Sequence, residues 1–153
     1  MKTASFALAI LIGMLLPLQA LINAALGRHS GAGALFAALA SFSVGTLVLG
    51  VCWLAMRPSL GELALAKVPW WAWTGGAIGA IYVAASTLLI SRTGAASLIC
   101  LVVAGQLIGS LLLDHYGVLQ ARQPVDAVRL FGALLVAAGA LLVVRPWQAA
   151  GGG

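Results

Sequence analysis

Five apolar stretches fill this 153-residue chain almost end to end: Ser5 to Leu26, Leu35 to Met56, Trp70 to Ile90, Ala95 to Tyr116 and Val128 to Val144. A helix needs about 20 apolar residues to cross a hydrocarbon core about 30 Å thick, and each stretch comes close to that length. Lipid offers no hydrogen-bond partners, so a spanning segment must satisfy its own backbone, as a helix does. The other spanning fold, a barrel, needs strands of about 10 residues that alternate apolar and polar. The run LFAALASFSVGTLVLGVCWLAM is instead apolar on every face. The expected fold is therefore an all-α membrane protein with five transmembrane helices. A single transmembrane domain is expected over residues 1–147, followed by a disordered tail over 148–153.

Charged residues make up only 7% of the chain, against about 25% in soluble domains. That leaves little material for a soluble catalytic domain. Cys52 and Cys100 both fall inside spans and lack metal-ligand spacing to a second Cys or His, so they read as buried apolar thiols. No metal and no cofactor are expected. The three acids are Glu62, Asp114 and Asp126, none near the centre of a span. A membrane-buried acid exchanging a proton for a cationic drug is thus not available in one chain. An intramembrane enzyme would need a nucleophile–base pair or metal ligands at depth, and the sequence offers neither, so no enzymatic activity is expected.

The net charge of +5 is carried by cations that stand singly at span ends rather than in a patch. Nucleic acid binding is excluded on that pattern. The amino-terminal side would carry Lys2, Arg57, Lys67, Arg122 and Arg129, and the opposite side Arg28, Arg92 and Arg145. Positive charge favours the cytoplasm, so a cytoplasmic amino terminus is weakly favoured, and insertion in both orientations is compatible with so small a bias. Lys2, the first apolar run and small residues near Ala20 also resemble a signal peptide. Pro17, Gln19 and Asn23 interrupt that pattern, and the first helix is expected to be retained. Trp70, Trp71, Trp73 and Trp147 are expected at the membrane interfaces.

Polar residues in hydrocarbon are costly, so the few present are the best pointers to function. Gln19 and Asn23 stand four residues apart and share a helix face. Pro17, lacking an N–H, frees the carbonyl of Gly13 beside them. Gln106, Ser110 and Asp114 form a second stripe at four-residue intervals. Tyr82 has a hydroxyl that needs a partner if buried. Each set could line a substrate pathway, and each could equally bond helix to helix. Asp114, near a helix end, could reach water, pair with a loop Arg or attract a cation. Ser41, Ser43, Thr46, Ser86, Thr87 and Ser91 can bond carbonyls of their own helices. Gly75, Gly76 and Gly79, and Gly132 and Gly139, are small-residue positions suited to close helix packing or to a subunit interface.

The succession PLQALINAAL, ASFSVG, PWWAWTGGAIGAIYV, AGQLIGSLLLDHYG and RLFGALLVAAGALLVV resembles the YdcZ family of bacterial inner-membrane proteins, within the drug/metabolite transporter superfamily. The resemblance covers essentially the whole chain. It places Gln19, Asn23, Gly75, Gly76, Gly79, Gln106, Asp114, Gly117, Arg129, Gly132 and Gly139 on family motifs. It implies transport of small molecules, described as export, with no defined substrate. Small multidrug resistance proteins in the same superfamily rely on an acid in the first helix, where this chain has Gln19 and Asn23. Larger members have ten helices as two inverted five-helix repeats, and this chain resembles one such half.

The expected function is a small-molecule transporter of the bacterial inner membrane, working by alternating access as a homodimer or a heterodimer with a similar five-helix chain. An antiparallel pairing would rebuild the inverted-repeat design. Gln19, Asn23, Tyr82, Gln106, Ser110 and Asp114 are the expected pathway residues. The competing expectation is a non-transporting membrane subunit or assembly partner, in which the same polar groups only hold helices together.

Overall fold

The computed structural model describes residues 2–56 and 65–145, and in them the five expected spans are five helices. They are α1 (Lys2–His29), α2 (Gly33–Ala55), α3 (Thr74–Thr93), α4 (Ala95–Tyr116) and α5 (Ala127–Val144). All five are long and apolar enough to cross a membrane. The boundaries of the fourth agree with the sequence reading to the residue, because Gly94 and Gly117 stop it at either end with φ +78° and +67°. The tail at 148–153, Trp147, and the loop with Arg57 and Glu62 lie outside the described residues.

The third span differs at its start. Trp70–Trp73 form a 3₁₀ turn, and the α-helix begins only at Thr74. Pro69, extended at φ −65° and ψ 146°, accepts from the N–H of Ala72 at 3.0 Å. The Thr74 hydroxyl donates to the Trp71 carbonyl at 2.7 Å. Proline favours such a first turn and cannot continue a helix backwards. The three indoles of this turn are exposed. The first span runs longer than expected, unbroken through Pro17 to His29. The His29 ring bonds the Ala25 carbonyl at 2.8 Å, closing one of the carbonyls a helix end leaves open.

Contacts divide the chain into two compact units, Met1–Arg92 and Thr93–Gly153. In the first, α1 and α2 form a hairpin through a turn with Gly31 at φ +69° and Gly33 at φ +79°. The residues this unit buries are mostly small: Ala20, Ala24 and Gly27 on α1, and Ala37 and Ala38 on α2. Large apolar side chains such as Leu21, Leu47 and Ile78 face outwards. That distribution suits a chain in lipid, where close backbone approach rather than escape from water drives helix pairing.

In the second unit α4 and α5 form another hairpin, joined by residues 117–126. Its first turn is a Schellman motif: Val118 N–H reaches the Leu113 carbonyl at 2.9 Å, and Gly117 N–H the Asp114 carbonyl at 3.2 Å. Asp126 caps α5, its carboxylate accepting from the Arg129 N–H at 2.8 Å.

Gly27 marks a close approach in the first hairpin. A Cβ there would stand 2.9 Å from the Gly33 carbonyl oxygen, which is backbone and cannot step aside. At Gly139 nothing lies within 4 Å. Gly27→Ala is expected to destabilise the chain by about 1–3 kcal/mol, the usual cost of overpacking. Gly139→Ala should be neutral or slightly stabilising through helix propensity. Melting of the two variants in detergent checks the contrast.

Candidate functional site

In the first unit, three expected pathway residues come together. Gln19 and Asn23 from α1 and Tyr82 from α3 line one cavity, with Ser86, Thr87 and the apolar Leu16, Ala20 and Val83. Helical periodicity explains the set: 19 and 23 stack on one face of α1, and 82 and 86 on one face of α3. The cavity is tight, about 10 Å³, room for about one water molecule. Gln19 also opens onto a larger cavity of about 200 Å³, lined by Ser41, Phe42 and Thr46 of α2.

Two polar atoms in this small cavity are buried without a hydrogen-bond partner: Nδ2 of Asn23 and Oγ1 of Thr87. Each residue is only 3% exposed. An unpaired buried donor or acceptor costs about 1–3 kcal/mol. Such groups, one on each of two facing helices, form a site that a polar solute or a water would satisfy. A third buried polar residue, Ser86, lies beside them. Their chemistry is neutral: an amide that gives and takes hydrogen bonds, and hydroxyls that do both. That set can recognise and orient a polar molecule.

Thr87 is the residue that sequence reasoning missed. A hydroxyl in a helix ordinarily bonds the carbonyl four residues back, as Ser43 does to Leu39 at 2.9 Å and Ser110 to Gln106 at 2.7 Å. Thr87 makes no such bond. The available signal was its place beside Ser86 and four residues before Ser91, which gives α3 a continuous polar line.

The remaining expected residues, Gln106, Ser110 and Asp114, belong to the second unit and line up along α4. Gln106 and Ser110 are exposed. Asp114 is tied into the α4–α5 connection. Its Oδ2 accepts from Arg129 Nη2 at 2.9 Å, its Oδ1 from Gln120 Nε2, and its backbone carbonyl from the Gln123 N–H at 2.8 Å. Beside it, Arg122 Nε donates to the His115 carbonyl at 2.9 Å, and Val125 N–H to His115 Nδ1 at 3.4 Å. Among the weighed roles for Asp114, this geometry is the pairing with an Arg. Asp114 side-chain exposure is 17%, so the pair is partly sheltered from water.

Of the glycines expected to pack helices, Gly79 meets the Phe42 ring of α2, 3.5 Å from where a Cβ would stand. Gly75, Gly76, Gly132 and Gly139 have nothing within 4 Å. Their small faces are open to lipid or to another chain. Among the described residues there is no cluster of His, Cys, Asp and Glu able to hold a metal ion.

The family model DMT_YdcZ, "Putative inner membrane exporter, YdcZ", matches residues 4–142, which takes in all five helices. The chain belongs to the YdcZ family. Within it, the inner membrane protein YdcZ of Escherichia coli (strain K12) is 36% identical over 105 residues, 65% of this chain. The match spans 66% of that relative's length, just under two thirds. No solved structure matches the chain. Membership of this family, with five helices long and apolar enough to cross a membrane among the described residues, makes the chain a multi-pass inner-membrane protein. In this YdcZ-family chain, Asp114 and Arg129 join the end of α4 to the first turn of α5.

Removing one partner would leave the other charge partly buried and unpaired, so Asp114→Ala and Arg129→Ala should each cost about 1–3 kcal/mol. The pair is partly exposed, so the coupling between them should be smaller, about 1 kcal/mol. A double-mutant cycle on unfolding in detergent measures it. Additive losses would mean that the ion pair does not hold this turn.

Proposed function

We propose that this chain is one half of a dimeric exporter that moves a small polar or amphipathic solute by alternating access. The supporting observation is the pair of buried, unpartnered polar groups, Asn23 and Thr87, facing one cavity between α1 and α3. Gln19 and Tyr82 stand at its edge. In this reading the amides and hydroxyls exchange bonds with water for bonds with the solute. The groove of about 10 Å³ is then a closed state that must widen to admit it. Gln106 on α4 is a further pathway residue in this proposal, whereas Asp114 acts by holding the α4–α5 turn.

The dimer in this reading is supported by the odd number of spans among the described residues and by the resemblance to half of an inverted-repeat transporter. Five crossings among the described residues would put α1's first residue and α5's last on opposite sides of the membrane. A second copy or a paralogue inserted the other way round would supply the missing half. The open small-residue faces at Gly132 and Gly139 are suited to such a partner.

Metabolite release into the medium tests the reading and needs no candidate solute. Cells producing the wild-type chain are expected to accumulate at least one small molecule in the medium that cells without it do not. Asn23→Ala and Gln106→Ala should lower that release by about tenfold or more, as loss of a hydrogen bond to the solute implies. Both should leave the melting temperature and the membrane level of the chain near wild type. If no solute distinguishes producing from non-producing cells, or if the variants melt early with release scaling only with protein level, the polar groups are helix glue. The chain is then better read as a non-transporting subunit.

A further inference from the structure

Beside the amide cavity, and sharing Thr87 with it, lies a second cavity of about 210 Å³. It is lined by Arg28 near the end of α1, Arg92 and Ser91 near the end of α3, and Gly33 and Ala34 at the start of α2. Among the described residues neither arginine pairs with a carboxylate. Both stand in the last turn of their helices, where the carbonyl ends favour a cation. The start of α2 adds a positive end of its own. Its flanking residue is Ala32, which has no side-chain oxygen to cap the first free N–H groups. The 23-residue length of α2 gives that end a full macrodipole. Two arginines, the first turn of α2 and Thr87, whose buried hydroxyl is unpaired, therefore border one small space.

We infer that this cavity is an anion site that receives a phosphate or carboxylate group, so that the solute handled by the chain is an acid. The inference deepens the exporter reading and rests on it for the step from ligand to transported solute. Arginines clamp the oxygens of phosphate and carboxylate by paired, charge-assisted bonds. Gly33 and Ala34 put the first turn of α2 on the border of the same cavity, and a helix amino terminus favours an anion. Thr87 borders both cavities, so an anionic group held by Arg28 and Arg92 would leave the rest of the molecule pointing towards Asn23 and Gln19. Residues 19 and 28 are separated by about 13 Å along α1, at about 1.5 Å per residue, the span of a small metabolite. The charge would be read at the helix ends and the polar body deeper in the membrane. The same chemistry would also hold the phosphate of an anionic lipid.

The test uses the purified full-length chain in nanodiscs of phosphatidylcholine alone, with inorganic phosphate as probe at constant ionic strength. Phosphate is expected to raise the melting temperature saturably. Arg28→Gln and Arg92→Gln, both changes at exposed positions, should each weaken that response by about tenfold or more while melting like wild type without phosphate. Thr87→Val, close in shape, should weaken it by a few-fold. Discs containing phosphatidylglycerol separate the sources. Stabilisation by that lipid, lost in the two Gln variants and accompanied by no phosphate response, keeps the anion site but assigns it to a headgroup. Absence of any response, or equal responses in wild type and both variants, overturns the site. Phosphate binding without metabolite release would remove the exporter reading and leave the site standing. Release of a neutral or cationic solute, unaffected by the Gln variants, would do the reverse.

Discussion

A backbone amide in hydrocarbon has nothing to bond except its own chain. From that constraint follow the five helices, the shortness of the connections, and the scarcity of polar side chains between Ser5 and Val144. It also sets how helices meet. Lipid tails solvate leucine as well as another leucine does, so apolar bulk gives little reason for two helices to associate. Here the buried apolar residues of the first hairpin are alanine and glycine, and at Gly27 one helix lies close against the Gly33 carbonyl. Bulky side chains are left for the surroundings.

Against that background, the placement of the polar groups divides them into two kinds. Three of those in the second unit are satisfied. Asp114 has Arg129 and Gln120, Ser110 has a carbonyl of its own helix, and Asp126 caps α5. Those between α1 and α3 are not, since Asn23 and Thr87 end in atoms with no partner. A chain that can satisfy a carboxylate with several donors does not lack the means to satisfy an amide. The unsatisfied pair is the observation on which the proposed solute site rests.

The helices were readable from the sequence because hydropathy over 20 residues is a strong, local signal. Boundaries followed where a local device set them, as Gly94 and Gly117 do for α4. They shifted where proline chemistry intervened, as in the 3₁₀ turn after Pro69. The site was readable only in part. Gln19 and Asn23 announced themselves by spacing on one helix, and Tyr82 by its hydroxyl. That these three would share a cavity depends on how α3 lies against α1, which no local pattern encodes. Arg129 lies fifteen residues beyond Asp114, across a loop, so its choice among the available arginines was not visible. Thr87 was hidden for the opposite reason. Its commonest behaviour is to bond its own helix, and only packing reveals that it does not.

The stitched connection at 117–126 has a consequence for degradation. On composition it is the segment a protease should favour: polar, exposed, and carrying an arginine at position 122. Proteases cut extended chain threaded into a cleft, and this stretch is not free to extend. Arg122 is held to the His115 carbonyl, and the N–H groups of Gln123 and Val125 are bonded back to the last turns of α4. Cleavage there would first require several of these bonds to open together. A polar, arginine-bearing loop is thus held away from the extended form that a protease cleft requires.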